Sequence, residues 1–591
     1  MSRLGLVLVL GSLAAGPGTA RGEAIAWREW SEAAFARAQS EQRYVLLDLG
    51  AVWCHWCHVM EETTYRDPRV IELVRARFVP VRVDQDARPD LSNRYEDYGW
   101  PATIVFDPRG TEIVKFSGYI PPDRMVSLLQ GIIDDPTPGP SIRLEAEPAY
   151  ANEAALTPAL RQDLETLLVS RYDPEHGGWG FVKKFLDSDA VEYSLLRSRE
   201  GDQGAEQRAR QTLDAQLKLI DPVWGGVYQY SHGGNWENPH FEKIMAVQTD
   251  NLRIYAQAYL LWRDPVYLKA ARDIHRYLRD FLLSPEGGFY TSQDADPVPG
   301  EHGGEYFALS DAGRRGRGLP RVDTHVYSRE TAWATHSLVA LHAATGDPAP
   351  LEEAERAARF ILERRSLPGG GFRHDAVDAA GPYLGDTLSA GRAFLALYAA
   401  TGDRTWLEHA EVAAAFIDRS FRAEGTPGFL TARSTSRFEP PHPQRDENIA
   451  LARFANLLAR YTGRAEHGKM AERALGFLTA PEVARRPQTG GVLLADGEIR
   501  VEPLHLTVVG GKDDPASRAL LAAALAEPSP YKRVELWDKR DGPLPHPDVP
   551  YPELKNAAAF LCTEGRCSAP AFTPEELRAR LGRAAPRRTG N

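Results

Sequence analysis

A chain of 591 residues, 43% hydrophobic and 26% charged, has apolar material for several cores. Its composition excludes a fibrous protein, a disordered chain and a multi-span membrane protein. With 70 basic against 81 acidic residues the net charge is −11, which gives nucleic acid no electrostatic footprint.

Arg3 precedes a short apolar run over 4–15, and Gly18-Thr19-Ala20 supplies small residues for cleavage. The run is shorter than the roughly 20 residues of a spanning helix. Residues 1–20 therefore read as an export signal, and the mature chain is expected to be periplasmic or secreted with no stable membrane span. Disulfides persist in such a compartment. The four cysteines form two close pairs, Cys54/Cys57 and Cys562/Cys567, too few for a stapled scaffold.

Residues 24–136 read as one α/β unit. Ser31 caps a helix with apolar positions at Ala34, Phe35 and Ala38. The apolar stretch Tyr44–Gly50 is a buried strand that runs into Cys54-His55-Trp56-Cys57-His58 and a helix. A helix opening at Asp67-Pro68, a strand over 78–84, a hairpin after Pro101 and a helix over 123–133 complete a thioredoxin order. A thiol at a helix start meets unpaired N–H groups and the positive end of the dipole. Cys54 is thus expected to be the exposed attacking sulfur and Cys57 the resolving one. His55 tunes the thiolate, and Pro101 fits the cis-proline position facing the dithiol. Two other readings stay open. Cys54-x-x-Cys57-His58 also matches a c-type haem attachment, and Cys54, His55, Cys57 and His58 make a crowded zinc set. The strand–turn–helix placement favours thiol–disulfide exchange with no cofactor and no metal.

These residues, with Gly99-Trp100-Pro101, resemble the spermatogenesis-associated protein 20 family, which joins a thioredoxin-like domain to a six-hairpin helical toroid. Gly225 to Ser231, Pro239 to Lys243, Glu286 to Tyr290 and Asp294 to Asp296 resemble its further signatures, and Cys562/Cys567 its C-terminal pair. The chain departs from the family's pattern after Lys243, where Ile244-Met245-Ala246-Val247-Gln248 replaces a stretch with an acidic residue.

Residues 145–495 support a ring independently. Gly178-Trp179, Gly226-Val227, Gly288-Phe289, Gly371-Phe372, Gly428-Phe429 and Gly491-Val492 recur at intervals that fit a helix hairpin plus a loop. Thr345-Gly346-Asp347 and Thr401-Gly402-Asp403 read as a left-handed helix stop followed by a cap. On or near the Gly loops lie His240, Glu242, Asp294, Asp296 and Glu305, with Trp179, Tyr228, Trp236 and Tyr290. Aromatics with carboxylates suit a sugar site, and paired carboxylates or a His–Glu pair suit glycosidase or epimerase chemistry. In the plainer reading the acids cap turns and the aromatics pack helices.

Residues 500–575 read as a small α/β unit and 576–591 as a flexible basic tail. Cys562 and Cys567 are expected to close a local clip; the sharper alternative is a second redox pair exchanging electrons with Cys54/Cys57. The expected fold is multidomain α/β plus all-α: an N-terminal thioredoxin fold, a central (α/α)6 toroid and a C-terminal α/β segment. The expected function is exchange with protein thiols or disulfides, the toroid binding a client or a carbohydrate. The alternatives are a carbohydrate-active toroid with an accessory thioredoxin domain, and a non-catalytic binding protein.

Overall fold

A computed structural model describes residues 24–142, 148–378, 380–434, 436–438, 440–563 and 565–584. Helix α1 (Glu32–Glu41) starts at Ser31, whose hydroxyl accepts from the Ala34 N–H, and it buries Ala34, Phe35 and Ala38. The run Tyr44–Gly50 is strand β1, buried over nearly its whole length. It feeds α2 (His55–Glu62), then α3 (Pro68–Arg77), strand β2 (Phe78–Asp84) and the short α4 (Pro89–Arg94). Strands β3 (Ala102–Phe106) and β4 (Glu112–Ser117) and helix α5 (Pro122–Asp134) follow. β1 lies parallel to β2 and antiparallel to β3, giving the order β2-β1-β3-β4. The dithiol therefore sits at the C-terminal end of a central strand, where side chains reach out of the sheet.

Six inner helices form the ring: Ser188–Arg199, Met245–Trp262, Ser328–Thr345, Leu384–Thr401, Arg445–Thr462 and Gly490–Arg500. Each packs on the next and the last packs on the first, so the circle closes. Gln203–Gln216, Pro265–Tyr277, Pro348–Arg364, Arg404–Phe421 and Ala465–Leu478 each return along the outside of the helix before them, and Pro158–Ser170 backs the sixth. The turn chemistry is as expected: Gly346 and Gly402 end inner helices at φ 71° and 69°, and Asp347 and Asp403 cap the outer ones. Five of the Gly-apolar loops close an antiparallel bridge after an outer helix, as Tyr172 with Trp179 and Ser366 with Phe372 do. Gly491-Val492 is different, because it lies inside the helix Gly490–Arg500. A Cβ on Gly490 would stand 2.6 Å from the Ala190 nitrogen, so these glycines let the last inner helix press against the first.

The C-terminal unit repeats the sheet pattern of the first. Leu504–Val509 lies parallel to Lys532–Trp537 and antiparallel to Ala558–Thr563, which pairs with Arg566–Cys567. Residues 574–584 form the helix Pro574–Ala584, so the expected flexible tail is helical over its described part; its apolar Leu577 and Leu581 are buried. The two α/β units occupy opposite mouths of the ring. The first meets the starts of inner helices, with Ile244 against Cys54 and Gln444 donating to Glu96. The second meets their ends, with Leu536 against Gly402 and His546 against Gly463. The expected signal over 1–20 lies outside the described residues. Among those described, no helix is long and apolar enough to cross a membrane.

Candidate functional site

Cys54 is the N-cap of α2 and is joined to Cys57 in a disulfide. Its Sγ accepts from the Cys57 N–H at 3.2 Å, so the sulfur lies at the positive end of the helix. The Trp100–Pro101 peptide bond is cis, and Trp100 lies beside the dithiol. The expectation of an exposed attacking sulfur is corrected: Cys54 is 4% exposed, under Ala51, Trp53, Trp100 and Ile244. The ring covers it. What remains open of Cys54 faces a cavity of about 690 Å³ that runs down into the ring.

The acidic residues read as a separate toroid site converge on the Cys-x-x-Cys helix instead. Asp296 Oδ1 lies 2.7 Å from His55 Nδ1, and Asp296 Oδ2 lies 3.0 Å from His58 Nδ1. The other nitrogen of His58 faces the Val52 carbonyl at 3.1 Å. Both partners only accept, so the ring is arranged as an imidazolium. Accordingly, and against burial, the hydrogen bond to Asp296 and the charge of Asp294 hold His58 above its ordinary range. Burial pushes Asp296 up, but its bonds to His55 and His58 win and hold it below the usual carboxylate range. Asp294, which orders the loop by accepting from the Asp296 N–H, is pushed by burial to about 6. Glu242 Oε1 accepts from the His55 N–H at 3.4 Å, and its Oε2 is buried without a partner. Burial raises that carboxyl to about 7. His58, Asp294 and Asp296 also bring three ligand atoms within 4.8 Å of one another, the set that could hold a metal ion.

His240 and Glu242 line the cavity, and His240 stacks on Tyr230 at 4.1 Å. Burial first, then the charge of His232, pushes His240 down to about 4. Trp236 and Tyr290 do not line it. Trp236 donates its indole N–H to the His176 carbonyl at 2.9 Å and fills space over Gly178, while Tyr290 packs on the ring core. The expected pair of aromatic sugar platforms is thus structural. Glu305 is exposed. Cys562 and Cys567 form a disulfide across a strand pair at the opposite mouth. An 18-residue inner helix, about 27 Å long, separates the two mouths, so the pairs do not meet in this conformation.

Residues not singled out in the sequence also line the cavity, among them Arg253, Trp333, His336, Arg392 and Arg453. Their signal was positional. Arg253, His336, Arg392 and Arg453 are each the ninth residue of an 18-residue inner helix, a register visible only once the helix starts are known.

Fold and site define a class: a thioredoxin-type dithiol seated face-down on the mouth of an (α/α)6 ring. Residues 19–133 match the Thioredox_DsbH family, described as a protein of unknown function, DUF255. Spermatogenesis-associated protein 20 of Mus musculus is 27% identical over 314 residues, 46% of this chain and 39% of that one. The Homo sapiens protein of that name is 28% identical over the same shares, 46% and 39%. The match thus spans well under half the length of these relatives. Thiol:disulfide interchange protein DsbD 2 of Pseudomonas aeruginosa is 36% identical over 80 residues, 13% of this chain and 14% of that one. Among solved structures, cellobiose 2-epimerase from Bacillus thermoamylovorans covers 54% of this chain and 86% of its own, at 10% identity and a TM-score of 0.43. A D-mannose isomerase covers 59% and 100%, at 11% identity and a TM-score of 0.43.

Proposed function

We propose that the chain is an exported thiol–disulfide oxidoreductase working through the Cys54–Cys57 couple. The observation that carries this reading is the disulfide at the start of α2 with Cys54 opening on a cavity. In the reduced state the helix start and the Cys57 N–H favour a Cys54 thiolate, which attacks a disulfide and forms a mixed disulfide. The Cys57 thiolate then attacks the Cys54 sulfur, restores the internal bond and expels the partner's thiol. Asp296 fixes the orientation of His55 and His58 around this dithiol. The exchange itself calls on no cofactor, because both electrons pass between sulfurs. Likeness to a thiol:disulfide interchange protein over 80 residues supports the chemistry, and the apolar run over 4–15 supports export.

The test is equilibration against graded glutathione redox buffers, with acid quench, alkylation and mass reading. Wild type is expected to show one two-electron transition assigned to Cys54/Cys57, lost in Cys54→Ser. A pair that stays oxidised in every buffer, or a Cys54 that does not ionise near neutrality once reduced, would overturn the reading.

A further inference from the structure

The lumen carries charge that exchange at Cys54 does not use. Arg253, His336, Arg392 and Arg453 share the ninth position of four inner helices and form a belt about 12 Å below the helix starts. Arg253 and Arg453 both hold Glu192, and Arg453 also holds Glu498 with Nε at 3.0 Å. Arg392 makes no hydrogen bond or ion pair with any described residue, yet it lines the same cavity as Cys54. Burial, then the like charges of Arg453 and Arg253, pull this guanidinium down to about 10, so a bound anion would relieve it. Asp189, the further carboxyl whose field reaches Arg392, makes no side-chain bond to it and is pushed by burial to about 6.

We propose that the lumen binds a peptide-sized anionic thiol or its disulfide, with sulfur at Cys54 and a carboxylate on Arg392. The inference rests on the exchange chemistry above and names its substrate class. Arg392 lines this cavity and also the one at the opposite mouth, so it stands between the two ends of the lumen. The axial depth of about 12 Å from the helix starts to Arg392 corresponds to three or four extended residues at about 3.3 Å each, a peptide-sized span. A two-carbon thiol is too short to touch both ends, and a folded protein cannot bring its sulfur to a Cys54 that is 4% exposed.

The step balances without another reagent. One thiolate attacks the Cys54 sulfur, the Cys54–Cys57 bond breaks and Cys57 leaves as a thiolate that takes a proton. A second thiolate attacks the bound partner's sulfur, releasing the partner as its disulfide and Cys54 as a thiolate. Two thiols are oxidised and the protein disulfide is reduced; the reverse consumes the small disulfide.

The experiment mixes oxidised full-length protein with glutathione, glutathione diethyl ester or 2-mercaptoethanol at matched thiolate concentration and follows reduction of Cys54–Cys57 by alkylation and mass. In wild type, glutathione is expected to react about tenfold faster than its diethyl ester, the worth of one charged hydrogen bond. That ratio is expected to fall toward one in Arg392→Gln and to persist in Arg392→Lys, which keeps the cation if the Gln variant fails to fold. A wild-type ratio near one, or an unchanged ratio in Arg392→Gln, sinks the proposal. Failure of all three thiols to react sinks instead the exchange chemistry beneath it.

Discussion

Asp296 binds two imidazoles at once, His55 through one oxygen and His58 through the other, and the second oxygen also accepts from the Gly300 N–H at 2.8 Å. Asp296 does not line the lumen cavity, and serving sugar chemistry there would require it to release its hold on α2. Glu242 is the opposite case, with one oxygen orphaned and its carboxyl raised to about 7 by burial. The sign of its linkage follows. In the unfolded chain Glu242 ionises near the ordinary 4.5, while the folded chain keeps the proton up to about 7. Over that window the native state holds more protons, so stability falls as pH rises from about 4.5 to about 7 and levels off above. Replacing Glu242 with Gln removes this group's contribution, on the order of 3 kcal/mol at full shift. Urea melts at pH 4.5 and 7 should show a smaller loss in Glu242→Gln than in wild type; equal losses would mean that this carboxyl is solvated in the fold.

Local pattern carried further than long-range register. β1 and β2 were legible to the residue because covered strands are apolar along their whole length, and the Thr-Gly-Asp turns because αL geometry and an Asp cap are local demands. Gly491-Val492 looked like the sixth loop, but the ring needs close approach at its seam and two glycines supply that too. The joining of Asp294 and Asp296 to His55 and His58 was out of reach, since more than 230 residues separate them and only domain docking brings them together. The seam yields a paired prediction within one helix. Gly490→Ala would force a Cβ onto the backbone of Ala190 and should cost about 1–3 kcal/mol. Gly497→Ala in the same helix meets nothing within 4 Å and should be neutral or stabilising by up to about 1 kcal/mol. Chemical denaturation of both variants checks the pair; equal effects would show that the seam is looser than drawn.

The ring lies between two α/β units of one strand order, with parallel and antiparallel pairings in the same places. At the strand–helix turn where the first unit has its dithiol, the second has Gly510-Gly511-Lys512, and its cysteines lie on the last strand pair. Because a helix length of about 27 Å divides the mouths, the double variant Cys562→Ser/Cys567→Ser should leave the potential of Cys54/Cys57 where it was. A shift of more than about 30 mV, some 1.4 kcal/mol, would mean that the two couples communicate. The first unit is held over the lumen by Asp296 on His55 and His58, by Glu242 on the His55 N–H and by Ile244 on Cys54, together with Asn93 on Thr431 at 2.7 Å, Gln444 on Glu96 at 2.9 Å, the His374 ring on the Asp86 carbonyl at 2.7 Å, and Phe438 stacked on Phe35 at 4.0 Å. Phe438 brings the stacked aromatic ring to this interface, it is 6% exposed, and truncating such a ring costs about 3–5 kcal/mol. Phe438→Ala removes the stacked ring on Phe35 and leaves Ile244 and the polar contacts to hold the cover, so the unit should swing from the mouth more often and uncover Cys54. In reduced protein, a 2-carbon iodoacetamide reaches Cys54 through the lumen in either case, whereas a polymer-linked maleimide reaches it only when the cover lifts. The ratio of polymer to small-reagent rates should therefore rise several-fold in Phe438→Ala. An unchanged, high ratio in wild type would show that the dithiol already meets protein-sized partners in the open, and that docking over the ring does not select what it reacts with.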